Sequence, residues 1–401
     1  MPAPRRLAAL CLLAAAAQGG RAPLPSYPIT DPRVLLQGRY LATPSGVQAD
    51  IELFSISFIV ANASAIVLRV SDRTRGGARL AVTLDTRAPA AAAAALAPGD
   101  PNPSGSAMPG LRVATLLTSP LIDAYSLGAG AQIRGLTLLV TVTLLSEWEM
   151  IEGGANASLE FTALETDGAL LPAPPRPARR LAVLGDSLSS GVGCGFDAPP
   201  GAACGAGVLI DDASRTWGAL LCANFSAECE VVAGSGITLV ADASYNLQLV
   251  FPWALGAMAS AGYPAAQRVE WGFAAHPVDA VLLEILENDC HHYNCSDPTD
   301  RALLARALVD FVTDILTRRY AKSTPVWLTI ANHEAGQSAA MALALPQLAA
   351  AGFTVAFLNA TAPDFVGNVS IDTGCAGHPS AAQQQIAFER ARAALAPALG
   401  W

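Results

Sequence analysis

A proline-rich stretch, Leu170–Arg179 (LLPAPPRPAR), divides this chain into two halves of different hydrophobic period, and that change limits the folds open to it. Before it, from about Tyr27 to Thr166, runs rich in Val, Ile, Leu and Thr recur at Ile51–Val60, Ala65–Val70, Ala78–Leu84, Leu136–Leu145 and Ala157–Thr162, separated by Gly, Asp, Asn and Ser. Short strands without interleaved helices predict two packed sheets, a β-sandwich. After it, strand-like runs at Leu181–Leu184, Glu230–Ala233, Ala280–Leu286, Val326–Ala331 and Thr354–Leu358 alternate with helical stretches. Arg301–Tyr320 has one apolar helical face, and Ser380 with Gln383 reads as a capping box opening a last helix through Leu395. Such alternation predicts an α/β domain, a parallel sheet covered on both faces. The expected organisation is a β-sandwich over 27–168, a linker over 169–179 and an α/β domain over 180–401.

Residues 1–22 read as a secretory signal: Arg5 and Arg6, then the apolar Leu7–Ala17, then small residues. That apolar run is too short to span a bilayer, which takes about 20 residues, and later apolar runs are interrupted by Gly, Pro, Asp or Arg. A secreted, glycosylated chain without an integral membrane segment is expected. Asn-x-Ser/Thr sequons at Asn62, Asn156, Asn224, Asn294, Asn359 and Asn368 agree with that. Of eight cysteines, Cys11 lies in the signal; the pairs 194–204, 222–229 and 290–295 would close short loops and leave Cys375 odd, although spacing does not settle connectivity. No zinc-type spacing is present, so neither a metal nor a cofactor is expected. A net charge of −9 argues against nucleic acid as a partner. Arg87–Gly110, with an alanine tract and a Pro/Gly/Ser cluster, reads as a long surface loop. Nothing in the first half has the composition of a catalytic site.

The second half places chemistry after its strands. In Leu181–Gly193 (LAVLGDSLSSGVG) an apolar strand runs through Gly185-Asp186 into Ser187 and the start of a helix. That puts a hydroxyl nucleophile at the carboxyl end of a strand, beside backbone N–H groups able to face an oxyanion. Gly236 follows the second strand and offers an unobstructed N–H; Asn288 follows the third and offers an amide NH₂; His378 precedes the last helix and can serve as base.

Four blocks in this order resemble the GDSL, or SGNH, hydrolases, named for the Ser, Gly, Asn and His of their motifs. The resemblance covers the chain from about residue 180 onward and implies a flavodoxin-like three-layer α/β/α domain. Carbohydrate esterase family two, secreted sugar-ester deacetylases with a jelly-roll domain ahead of the SGNH domain, is a closer likeness. It rests on the order of domains, on GDSLSSGVGCG, on Arg215–Leu220 ahead of Gly-Ser-Gly-Ile, on Glu270–Phe273 ahead of the asparagine block, and on Gly374-Cys375-x-x-His378-Pro379. It implies Ser187 as nucleophile, His378 as base, and an oxyanion hole from the Ser187 and Gly236 N–H groups with the Asn288 amide. The implied partner is an acetylated polysaccharide or sugar, and the chain is expected to act as a monomer.

Two departures stand out. The asparagine block, usually Gly-Thr-Asn-Asp, is Leu286-Glu287-Asn288-Asp289, which sets a bulky side chain beside the site. The acid usually found two or three positions before the histidine is replaced by Ala376 and Cys375; Asp372, six positions before His378, either curls back to the imidazole or caps a turn. A Ser187–His378 dyad, with a backbone carbonyl orienting the ring, is therefore expected. His291-His292 reads as a loop pair, His333 as a neighbour on the same rim, Asp186 as a brace for the nucleophile turn, and Trp217, Trp253 and Trp271 as core or sugar-stacking residues. Two rival readings are a lipase-like GDSL acyl esterase and a carbohydrate-binding protein with a decayed site.

Overall fold

The computed structural model describes residues 23–73, 77–85, 112–118, 122–129, 133, 135–147, 158–195, 210–330, 335–360 and 378–401. Among them, five strands after the proline-rich stretch form one parallel sheet: β1 (Arg179–Leu184), β2 (Ala227–Val232), β3 (Ala280–Glu284), β4 (Val326–Ile330) and β5 (Val355–Asn359), in the order β2-β1-β3-β4-β5. The helices are α1 (Ser187–Ser190), α2 (Trp217–Asn224), α3 (Leu247–Val250), α4 (Glu287–His292), α5 (Pro298–Asp310), α6 (Ala335–Ala350) and α7 (Ala381–Leu399).

Alternation along the strands sorts side chains to two faces. Leu181 and Val183 of β1 pack with Trp217 and Leu221 of α2 and with Ala391 and Leu395 of α7. Ala182 and Leu184 pack on the other side with Leu304 and Leu308 of α5 and with Met341 and Leu348 of α6. Continuous apolar strands are thus what a sheet covered on both faces requires. The expected helix over Arg301–Tyr320 begins earlier, because Asp297 caps it and Pro298 fits its first turn; beyond Asp310 it continues as a π-helical turn over Phe311–Leu316. The capping box of Ser380 and Gln383 forms, and α7 runs on to Leu399.

Among the described residues, the first half contains two antiparallel sheets of six strands each. One holds Ala65–Asp72 and Leu159–Thr166 at its centre; the other holds Ser55–Ala61, Arg79–Asp85 and Thr137–Leu144. Ile66, Leu68 and Phe161 of the first share one core with Phe58, Val60, Val82 and Val140 of the second. The strand expected from Ile51 starts at Ser55, since Leu53 takes a positive φ of 58° that interrupts extended backbone. Ala169 and Leu170, assigned by composition to the linker, pair with Ala61 and Val60. Arg87–Gly110 and the signal segment 1–22 lie outside the described residues.

Buried polar contacts join the halves. The Arg39 guanidinium, fully buried, donates through Nε and Nη2 to Glu230 Oε1 (3.1 and 2.8 Å) and through Nη1 to the carbonyls of Phe251 and Trp253 (2.5 and 3.0 Å). Asp50 accepts the N–H groups of Gly256 and Ala257, each at 2.9 Å. Cys222–Cys229 and Cys290–Cys295 are disulfides, whereas Cys194 is a free, buried thiol, so the 194–204 pairing is corrected. Cys204 and Cys375 lie outside the described residues. Among the described residues, no helix is long and apolar enough to cross a membrane.

Candidate active site

Strand order reverses between β1 and β3, and ligands of open α/β sheets bind outside the carboxyl ends at such a switch point. Ser187 follows β1, Gly236 follows β2 and Asn288 follows β3. At Gly185 a Cβ would sit 2.3 Å from Ser189 Oγ and 2.8 Å from the Glu284 carbonyl oxygen, so only glycine admits this turn. Asp186 caps α1, its Oδ1 accepting the Leu188 N–H at 3.0 Å, the bracing role read from the sequence.

His378 Nε2 lies 2.7 Å from Ser187 Oγ, within proton-transfer reach. Gln384 of α7 holds the two blocks together. Its Nε2 donates to the Leu188 carbonyl (2.9 Å) and its Oε1 accepts the Trp217 N–H (2.9 Å). A glutamine three residues into an amphipathic helix carries no sequence signal for that role. Asp372 and His333 lie outside the described residues.

Three donors follow the carboxyl ends of β1, β2 and β3. Among the described residues the Ser187 and Gly236 N–H groups have no acceptor, and Asn288 commits one amide N–H to the Ile237 carbonyl at 3.0 Å, leaving the other. Gly236 has φ 74° and is exposed; its backbone conformation, not crowding, calls for glycine. Asp289, next to Asn288, gathers the N–H groups of Leu239, Val240 and Ala241 at 2.7–3.0 Å and so shapes the loop after the Gly236 block.

Leu286 keeps the glycine-like backbone of its position (φ 90°) but turns its side chain into the core, fully buried, so it does not narrow the rim as its size suggested. Trp217 and Trp271 are core residues; the exposed His291 and His292 end α4 and are not in a loop.

Behind the nucleophile turn, carboxylate oxygens of Asp186, Glu284 and Glu287 lie within 4.8 Å of one another, the one group among the described residues able to hold a metal ion. Burial, then the Glu284 and Glu287 charges, pushes the Asp186 carboxyl well above the usual range; burial and the Glu287 charge push Glu284 to about 8. Neither glutamate was marked by sequence, because each reads as an ordinary strand end or helix start. The first half also reaches the rim, contrary to its composition: Glu147 accepts the Ser235 N–H at 2.8 Å.

No family model and no curated protein matches the sequence. The solved structure of a family two carbohydrate esterase from Cellvibrio japonicus does match, with a TM-score of 0.72 at 18% identity, over 94% of this chain and 98% of that one. The chain has the fold of the family two carbohydrate esterases. An acetyl xylan esterase from the rumen bacterium Butyrivibrio proteoclasticus shares this esterase fold at TM-score 0.74 and 15% identity, over 94% of this chain and 100% of that one. A family two carbohydrate esterase from Clostridium thermocellum, solved in complex with cellohexaose, shares it at TM-score 0.70 and 16% identity, over 92% and 99%. Coverage on this scale takes in both the antiparallel sheets and the parallel sheet of the esterase fold.

Proposed function

We propose that this chain is a secreted, glycosylated serine esterase that removes short acyl groups, acetyl above all, from carbohydrates. The observation that carries the reading is the 2.7 Å contact between Ser187 Oγ and His378 Nε2 at the switch point, with donors on the same rim. His378 takes the hydroxyl proton as Oγ attacks the ester carbonyl. The Ser187 and Gly236 N–H groups and the free Asn288 N–H stabilise the oxyanion. Collapse expels the sugar oxygen, protonated by His378, and leaves an acyl-serine. Water, deprotonated by His378, attacks that ester and releases the acid and free Ser187. A backbone carbonyl or Asp372 orients the imidazole. The organisation is a β-sandwich of jelly-roll type over 27–168, a linker and an SGNH domain over 180–401, working as a monomer without cofactor. Names of fold neighbours, an acetyl xylan esterase and a cellohexaose complex, support a carbohydrate substrate.

Turnover of 4-nitrophenyl acetate, butyrate and octanoate by the secreted protein and by Ser187→Ala and His378→Ala tests this. Acetate turnover that each variant lowers by at least about 10³-fold, with little octanoate activity, is the expected result, followed by acetate release from acetylated glycans. A preference for octanoate overturns the short-acyl reading in favour of a lipase-like esterase. Glycan binding with no turnover overturns the enzyme.

A further inference from the structure

Gly236 presents its N–H from an exposed turn at which even an added Cβ would meet nothing within 4 Å. Packing therefore does not aim that donor; the hydrogen bonds of the turn do. Within the turn, Ile237 donates to the Gly234 carbonyl at 3.1 Å. The contact that ties the turn to the rest of the molecule just before Gly236 is the Ser235 N–H on Glu147 Oε2, at 2.8 Å. Glu147 is fully buried and comes from the antiparallel half of the chain, 88 residues away.

The segment bearing Glu147 is itself pinned from both sides. Leu145 donates to the Arg79 carbonyl at 2.9 Å, Ser146 Oγ accepts the Arg79 N–H at 2.8 Å, and the Arg79 guanidinium donates to the Asp211 carbonyl. The Leu145 carbonyl in turn accepts the Ala213 N–H, at 3.1 Å. Ser190, at the end of the helix that Ser187 opens, donates its hydroxyl to the Ser187 carbonyl oxygen at 3.2 Å. Glu147 thus ties the antiparallel half of the chain to the turn that carries a donor.

Building on the esterase reading above, we propose that Glu147 is a positioning residue of the oxyanion hole, clamping Ser235 so that the Gly236 N–H points at the developing charge. The antiparallel half then completes the active site and is not a separable accessory. An N–H that swings away from an oxyanion loses its effect in the transition state while ground-state binding of the sugar is kept, so the signature falls on kcat.

The test compares full-length wild type with Glu147→Ala, Glu147→Asp and Glu147→Gln on 4-nitrophenyl acetate. Rates are expressed per Ser187 titrated with a fluorophosphonate, and thermal unfolding is followed alongside. The amide oxygen of glutamine still reaches the Ser235 N–H; alanine has no acceptor, and aspartate is one methylene short. Glu147→Ala and Glu147→Asp are expected to lower kcat about 10- to 100-fold with KM within about threefold, and Glu147→Gln to retain kcat within about threefold. If Glu147→Ala does not fold, the Asp and Gln pair carries the same comparison. Unchanged kcat per titrated site in Glu147→Asp, whatever its unfolding temperature, overturns the proposal and leaves a purely structural contact. An ester-inactive wild type overturns the esterase reading first and this inference with it; an active wild type with a fully active Asp variant overturns this inference alone.

Discussion

Replacing Arg39 by Met should loosen the junction between the two halves by a calculable amount. The side chain is fully buried, and its four donor contacts end on Glu230 and on two carbonyls. Its guanidinium also lies 5.0 Å from the Phe273 ring centroid and 5.1 Å from that of Phe251. Methionine restores much of the volume and none of the charge. Glu230, only 1% exposed, keeps its hydrogen bonds from Tyr320 Oη (2.5 Å) and Trp271 Nε1 (3.2 Å) but loses its counter-ion. Stranding a buried charge costs about 3–5 kcal/mol, roughly 6–12 °C in unfolding temperature for about 3 kcal/mol in a unit of 150–250 residues. Scanning calorimetry of wild type, Arg39→Met, Glu230→Gln and the double variant completes the cycle, with the double variant less destabilised than the sum of the singles by about 2 kcal/mol. Additive losses, or a loss below about 1 kcal/mol in Arg39→Met, would refute the view that this pair latches the halves.

Two further outcomes follow from the rim. Glu284, raised to about 8 by burial and the Glu287 charge, binds its proton more tightly folded than unfolded, so its contribution to stability is complete below about 4.5 and is lost as pH rises through about 8. Glu284→Gln should flatten the fall of unfolding temperature across that window, in part only, because Asp50 (about 7) and Asp211 (about 8) are also raised, mainly by burial; an unchanged slope refutes the assignment. Leu286→Gly relieves a left-handed backbone worth about 1–2 kcal/mol but empties a core position worth about 2–5 kcal/mol, for a net loss of about 2 kcal/mol, and at most about 4 kcal/mol, in urea unfolding. A stabilised variant would show that backbone strain outweighs packing there.

The parts of this protein legible in the sequence are those set by short-range chemistry. Strand–helix alternation, the Ser380–Gln383 capping box, the Asp186 cap and the strand ends carrying Ser187, Gly236 and Asn288 depend on residues a few positions apart, and the structure has them where period and turn residues put them. What tertiary structure alone decided depends on neighbours distant in the chain. Cys194 is a buried thiol although a cysteine lies ten positions on, an outcome that spacing alone does not decide. Leu286 turns into the core because the left-handed backbone points it there. Glu147, Asp186 and Glu284 are perturbed by desolvation, which no local pattern encodes. Glu147 meets Ser235 and Arg39 meets Glu230 across 88 and 191 residues, and a hydrogen bond across such a separation exists only once two independently patterned halves have packed.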